Sequence, residues 1–132
     1  MVDAIDYEAP GPLTHLDSVH PSILEGIATD PVEICRLVHT LVIQPADAEA
    51  LCVTAERFSE KQFRGAANLI EALIALDPAP LHVPRDPERR VIGTCRHFAV
   101  LSCALLRYRG VAARVRCGFA TYFQPGIPPC KE

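Results

Sequence analysis

From Asp30 onward the apolar residues recur at helical spacing. Ile34, Leu37, Val38 and Leu41 fall on one stripe, the pattern of a helix that buries a single face. Asp30-Pro31-Val32-Glu33 supplies its start: Asp30 can cap, Pro31 suits the first helical position, and Glu33 can reach back to the cap. Gln44-Pro45 predicts its end, and a shorter helix is expected over Ala46 to Thr54. The next start signal is Ser59, with Gln62 as its capping-box partner and Phe58 and Phe63 at staple spacing. Phe63, Ala66, Ala67, Ile70 and Ile74 then line one face until Asp77-Pro78. Between Asp77 and Arg90 stand Pro78, Pro80, Pro84 and Pro87. No helix interior tolerates them, so this stretch reads as a loop, most simply a connector, although one placed to shape a site.

A third long helix is expected from Cys95 to Arg109, with Thr94 as its cap and Gly110 at the left-handed stop. Residues 98 to 106 are apolar nearly all round, as in a helix buried on most sides. After Gly110 the period changes to two. Val111, Ala113, Val115, Cys117 and Phe119 alternate with Ala112, Arg114, Arg116, Gly118 and Ala120, which predicts a strand over 111–123 with one polar face. Residues 1–29 show little periodicity and read as an irregular arm with one short helix near Ser22–Ala28. The fold class expected is α+β: helices, the central one buried, packed on the first strand or strands of an incomplete antiparallel sheet. Residues 30–132 would form the domain.

Length and composition narrow the function. The chain has 132 residues, 49% hydrophobic and 22% charged, which is one globular domain and neither a disordered tail nor a repeat array. The net charge of −3 argues against a nucleic-acid-coating role. Arg107, Arg109, Arg114 and Arg116 are read instead as complements to a helix C-terminus and a polar strand face. The acidic opening residues are no signal peptide, and the longest apolar run, Phe98 to Leu106, is far shorter than a membrane span. A cytoplasmic protein without membrane partners is expected. Cys35, Cys52, Cys95, Cys103, Cys117 and Cys130 include no Cys-x-x-Cys pair and are read as reduced thiols. Cys95-Arg96-His97 lacks a second ligand pair at zinc-site spacing. No metal and no cofactor is called for.

The residue that carries chemistry is Cys95. At a helix start, unpaired backbone amides and the adjacent Arg96 favour thiolate over thiol. The amide of Cys95 itself could hold the oxyanion formed when sulfur attacks an acyl carbon. Gly93 would let a backbone or substrate approach closely. The other cysteines sit in apolar patterns or outside any reactive setting.

The run Gly93-Thr94-Cys95-Arg96-His97-Phe98-Ala99-Val100-Leu101, then Ala104-Leu105-Leu106-Arg107, Gly110-Val111-Ala112-Ala113-Arg114-Val115 and Gly118-Phe119, resembles the transglutaminase-like superfamily. The likeness covers about thirty residues tightly and the upstream helices loosely, in a bacterial transglutaminase-like layout. It implies that Cys95 is the nucleophile and that the activity is amide acyl transfer, deamidation or peptide-bond hydrolysis through a thioester, on a peptide, amide or amine substrate. It also implies a histidine and an aspartate or asparagine on the following strands. No histidine follows His97, so the expectation is a domain whose triad is completed outside this chain and which is inactive alone. His97 should point away from Cys95. His82 is the weak stand-in, while His15, His20 and His39 read as surface or packing residues. Strand 111–123 would leave open edges, so it is expected to pair with another copy by self-association, with a missing downstream segment or with an extension that this chain lacks. The alternative function is a non-catalytic binding or scaffold module on the same fold.

Overall fold

A parallel pair of short strands lies between the helices of the chain. In the computed structural model, which describes residues 5–116, Val42–Ile43 (β1) pairs with Val91–Ile92 (β2), Val42 opposite Val91 and Ile43 opposite Ile92. The Val91 amide donates to the Leu41 carbonyl and that of Gly93 to Ile43, each at 2.9 Å. The expected antiparallel sheet is therefore corrected: the described residues form a two-stranded parallel one. Parallel strands need a long crossover. The chain between the strands supplies it, carrying Pro45–Ala50 (α3), a 3₁₀ helix over Ala55–Gln62, and Ala66–Leu76 (α4).

Pro31–His39 (α2) begins as expected after Asp30, although Asp30 makes no side-chain cap bond and Glu33 pairs with Arg36 at 2.8 Å instead. It ends earlier than Gln44. The amide and hydroxyl of Thr40 both donate to the Leu37 carbonyl, at 2.8 and 2.6 Å, which frees Leu41 to Ile43 to extend into the sheet. The expected stripe is buried at Ile34, Val38 and Leu41.

Ser59 does not start a helix. Its hydroxyl donates to the Glu56 carbonyl inside the 3₁₀ turn, and Phe63 is extended (φ −63°, ψ 137°). The helix begins at Ala66, whose amide donates to the Leu13 carbonyl at 2.8 Å. A distant backbone group thus displaces a local capping signal. The 3₁₀ helix has another task. Arg57 donates to the carbonyls of Glu88 and Arg90, and Glu60 accepts the Ile92 amide at 2.9 Å, so the pair clamps β2.

The proline loop is pinned from within. Arg85, 4% exposed, donates to the carbonyls of Leu73, Asp77 and Ala79, tying the loop to the end of α4. Burial lowers the pKa of this guanidinium, with Asp77 opposing. Residues 5–29 are irregular except for Pro21–Leu24 (α1), yet they are not a detached arm. Leu16, Val19, Leu24 and Ile27 belong to the same core as α2 and α4.

Cys95–Tyr108 (α5) closes with Gly110 at φ +78°. The Gly110 amide donates to Arg107 and that of Val111 to Leu106, at 3.0 and 2.9 Å, the double bond of a Schellman stop. Beyond it the expected strand is not formed over residues 111–116. Their backbone bonds go elsewhere: the Ala113 amide donates to Tyr7, and the Ala113 carbonyl accepts Arg107 Nε at 2.9 Å. Residues 117–123 of that expected strand, with Cys117, lie outside the described residues, as does Cys130. Among the described residues no helix is long and apolar enough to cross a membrane.

Candidate functional site

The start of α5 is built around His97. Thr94, the cap residue, is extended (φ −95°, ψ −177°), and its amide donates to His97 Nδ1 at 2.9 Å. That nitrogen must carry a lone pair. The proton therefore sits on Nε2, which donates to the Phe63 carbonyl at 2.9 Å. His97 is 2% exposed and both nitrogens are committed. It takes the role that glutamate or glutamine plays in a capping box and at the same time ties α5 to the segment before α4. As expected, it points away from Cys95.

Gly93 serves this packing rather than substrate approach. A Cβ there would stand 2.7 Å from His97 Cβ and 3.0 Å from Val42 Cγ1, so only glycine lets β2 and the first turn of α5 meet.

With His97 turned inward, Cys95 turns outward. Its free thiol is exposed and lines an open cleft of about 830 Å³. One wall is a stripe of α5: Cys95, Phe98, Ala99, Ser102 and Leu106. These positions are three or four residues apart and so share a face. The opposite stripe of the same helix, Val100, Leu101, Ala104 and Leu105, is core. The apolar run of α5 thus serves two surfaces, and the helix is not buried on every side. The second wall is α2, through Cys35, Val38 and His39, with the His39 and Phe98 rings 5.1 Å apart between centroids. Gln44, Pro45 and residues 113–116 form the rim.

Charge in the cleft is one-sided. Arg114 and Arg116 line it, and no aspartate or glutamate among the described residues does. Cys103 lies deeper, and burial pushes its thiol pKa up, with Arg107 opposing. At the helix start, the amides of Cys95 and Arg96 find no acceptor among the described residues, as the first turn of a helix dictates. Arg96 itself reaches sideways to the Lys61 carbonyl at 3.3 Å.

The other residues singled out from the sequence separate clearly. His82 lies away from Cys95: its Nδ1 is 2.9 Å from the Glu25 carbonyl, and it lines a different, smaller pocket beside Gly26. His20 is engaged with Ser22, and His15 stands 3.9 Å from Asp17. His39, read from the sequence as a surface or packing residue, is exposed and lines the cleft. Its only signal was position, next to Val38 at the edge of the buried stripe and one turn after Cys35. Among the described residues no group of three or more histidine, cysteine or acidic side chains is placed to hold a metal ion.

Compared with protein-family models, curated proteins and solved structures, the chain matches none of them.

Proposed function

We propose that the chain is a cysteine acyl-transfer or amide-hydrolysis domain of transglutaminase-like type, with Cys95 as its nucleophile. The observation that carries this reading is the exposed thiol of Cys95 at the first turn of α5, opening into a cleft large enough for a substrate. The sulfur attacks an amide or ester carbonyl. The oxyanion that results takes hydrogen bonds from the free amides at the helix start, where the helix dipole also favours negative charge. The thioester then passes its acyl group to an amine or to water. Apolar walls at Val38, Phe98 and Leu106 suit the non-reacting part of the acyl donor.

The test is acylation by p-nitrophenyl acetate, followed by intact mass and peptide mapping. Cys95 is expected to gain a hydroxylamine-sensitive acetyl group faster than the exposed thiols Cys35 and Cys52, and Cys95→Ala to lose that adduct. Acylation of Cys95 no faster than of those two would sink the nucleophile and leave the binding-module alternative.

A further inference from the structure

We infer that His39 is the proton acceptor for Cys95, so that the cleft holds a cysteine–histidine pair assembled from α5 and α2. This inference rests on the reading of Cys95 as the nucleophile. A thiol attacks efficiently only when a neighbouring base takes its proton, and imidazole is the usual group. Among the described histidines, only His39 shares the cleft with Cys95. His20, His82 and His97 each have a ring nitrogen engaged by a neighbour. The His39 ring makes no hydrogen bond among the described residues and is exposed, so both its nitrogens are available. Its ring rests on Phe98, with centroids 5.1 Å apart and planes tilted by 43°. Phe98 lies one turn beyond Cys95 on the same α5 face, so this contact seats the imidazole against the wall to which Cys95 also belongs; no hydrogen bond joins the two side chains among the described residues. Catalytic hydrogen bonds commonly tighten only once substrate is bound.

The proton balance closes within the pair. His39 takes the Sγ proton as the S–C bond forms and the carbonyl electrons move onto oxygen. When the tetrahedral adduct collapses, the imidazolium returns that proton to the departing amine or alcohol. In the second half an incoming amine or water gives its proton to His39, and that proton returns to sulfur as the thioester opens. The titratable and charged groups around His39 in the cleft are Cys35 on its own helix, Cys95 and Cys103 on α5, and Arg114 and Arg116 on the rim. Cys35, one turn before His39 on α2, is the competing thiol, and the test must separate the two.

The experiment measures acetylation of Cys95 by p-nitrophenyl acetate, mapped by mass spectrometry, in the full chain and in Cys35→Ala, His39→Gln and His39→Ala. His39→Gln is expected to slow acetylation about 100-fold. It should also change the shape of the pH–rate profile, because the general base that shapes it is gone. Added imidazole should restore the rate in His39→Ala, and in Cys35→Ala the acetyl group should still appear on Cys95. Parent-like rate and pH profile in His39→Gln would overturn the role of His39 and leave Cys95 a nucleophile without it. An acetyl group found on Cys35, or none specific to Cys95 in the parent, would overturn both readings.

Discussion

Two histidines flank the start of α5, and they have opposite fates. His97 is two residues from Cys95 in sequence, yet it lies on the far side of the helix, 2% exposed, with Nδ1 and Nε2 each bonded at 2.9 Å. His39 is distant in sequence and on another helix, yet it shares the open cleft with Cys95. The difference follows from helix geometry. Each residue advances about 100°, so a residue two positions on faces nearly the opposite way, while packed helices bring distant faces together. A histidine close to a cysteine in sequence is a poor guide to a shared site. Here the near one builds the junction from which the thiol projects.

The largest effect expected from this contrast is on stability. His97→Ala leaves the Thr94 amide and the Phe63 carbonyl without partners beside a new cavity, and should cost about 3 kcal/mol. His39→Ala should stay within about 0.5 kcal/mol. Urea unfolding of the two variants measures the gap, and equal losses would break the distinction between junction and cleft. Next comes Gly93→Ala, which forces a Cβ to within 2.7 Å of His97 Cβ and should cost about 1–3 kcal/mol by overpacking. Thermal unfolding checks it; an unchanged midpoint would mean that β2 and α5 meet less tightly than they do here.

The smallest effect sharpens the cleft itself. Cys103 lines its deeper part, and burial raises the pKa of its thiol. Iodoacetamide should therefore label Cys103 more slowly than Cys35, Cys52 or Cys95, with its rate still climbing in alkaline solution. Because the folded thiol holds its proton more tightly than the unfolded one, its contribution to stability is complete at neutral pH. That contribution is lost as pH rises through the raised value. Cys103→Ala should flatten this alkaline loss in a pH series of urea midpoints.

Much of α5 was readable from its own residues. Thr94 at one end and Gly110 at the other mark its limits because both signals act within a turn: the cap on its own helix, the left-handed glycine on the carbonyls just before it. The Asp30-Pro31 start of α2 is legible for the same reason. Ser59 failed because its local signal competes with the Leu13 carbonyl, which receives Ala66, and with His97, which holds Phe63 extended. The alternation after Gly110 is a property of side chains, but a strand also needs a partner for its backbone. At Ala113 that partner is Tyr7 on one side and the Arg107 side chain on the other. Arg85 stands among prolines with no local signal of its burial, although it ties the loop to the end of α4.

What could be read along the chain alone was where α2 and α5 start, where α5 stops, which stripes of them are apolar, and that Cys95 stands at a helix start. These depend on neighbours within a few residues. The direction of β1 against β2, the start of α4, the burial of His97 and the presence of His39 and Cys95 in one cleft depend on which distant groups share a volume. Hydrogen-bond partners and helix faces are assigned only when the core closes, because each buried amide and carbonyl takes whichever partner packing brings within reach.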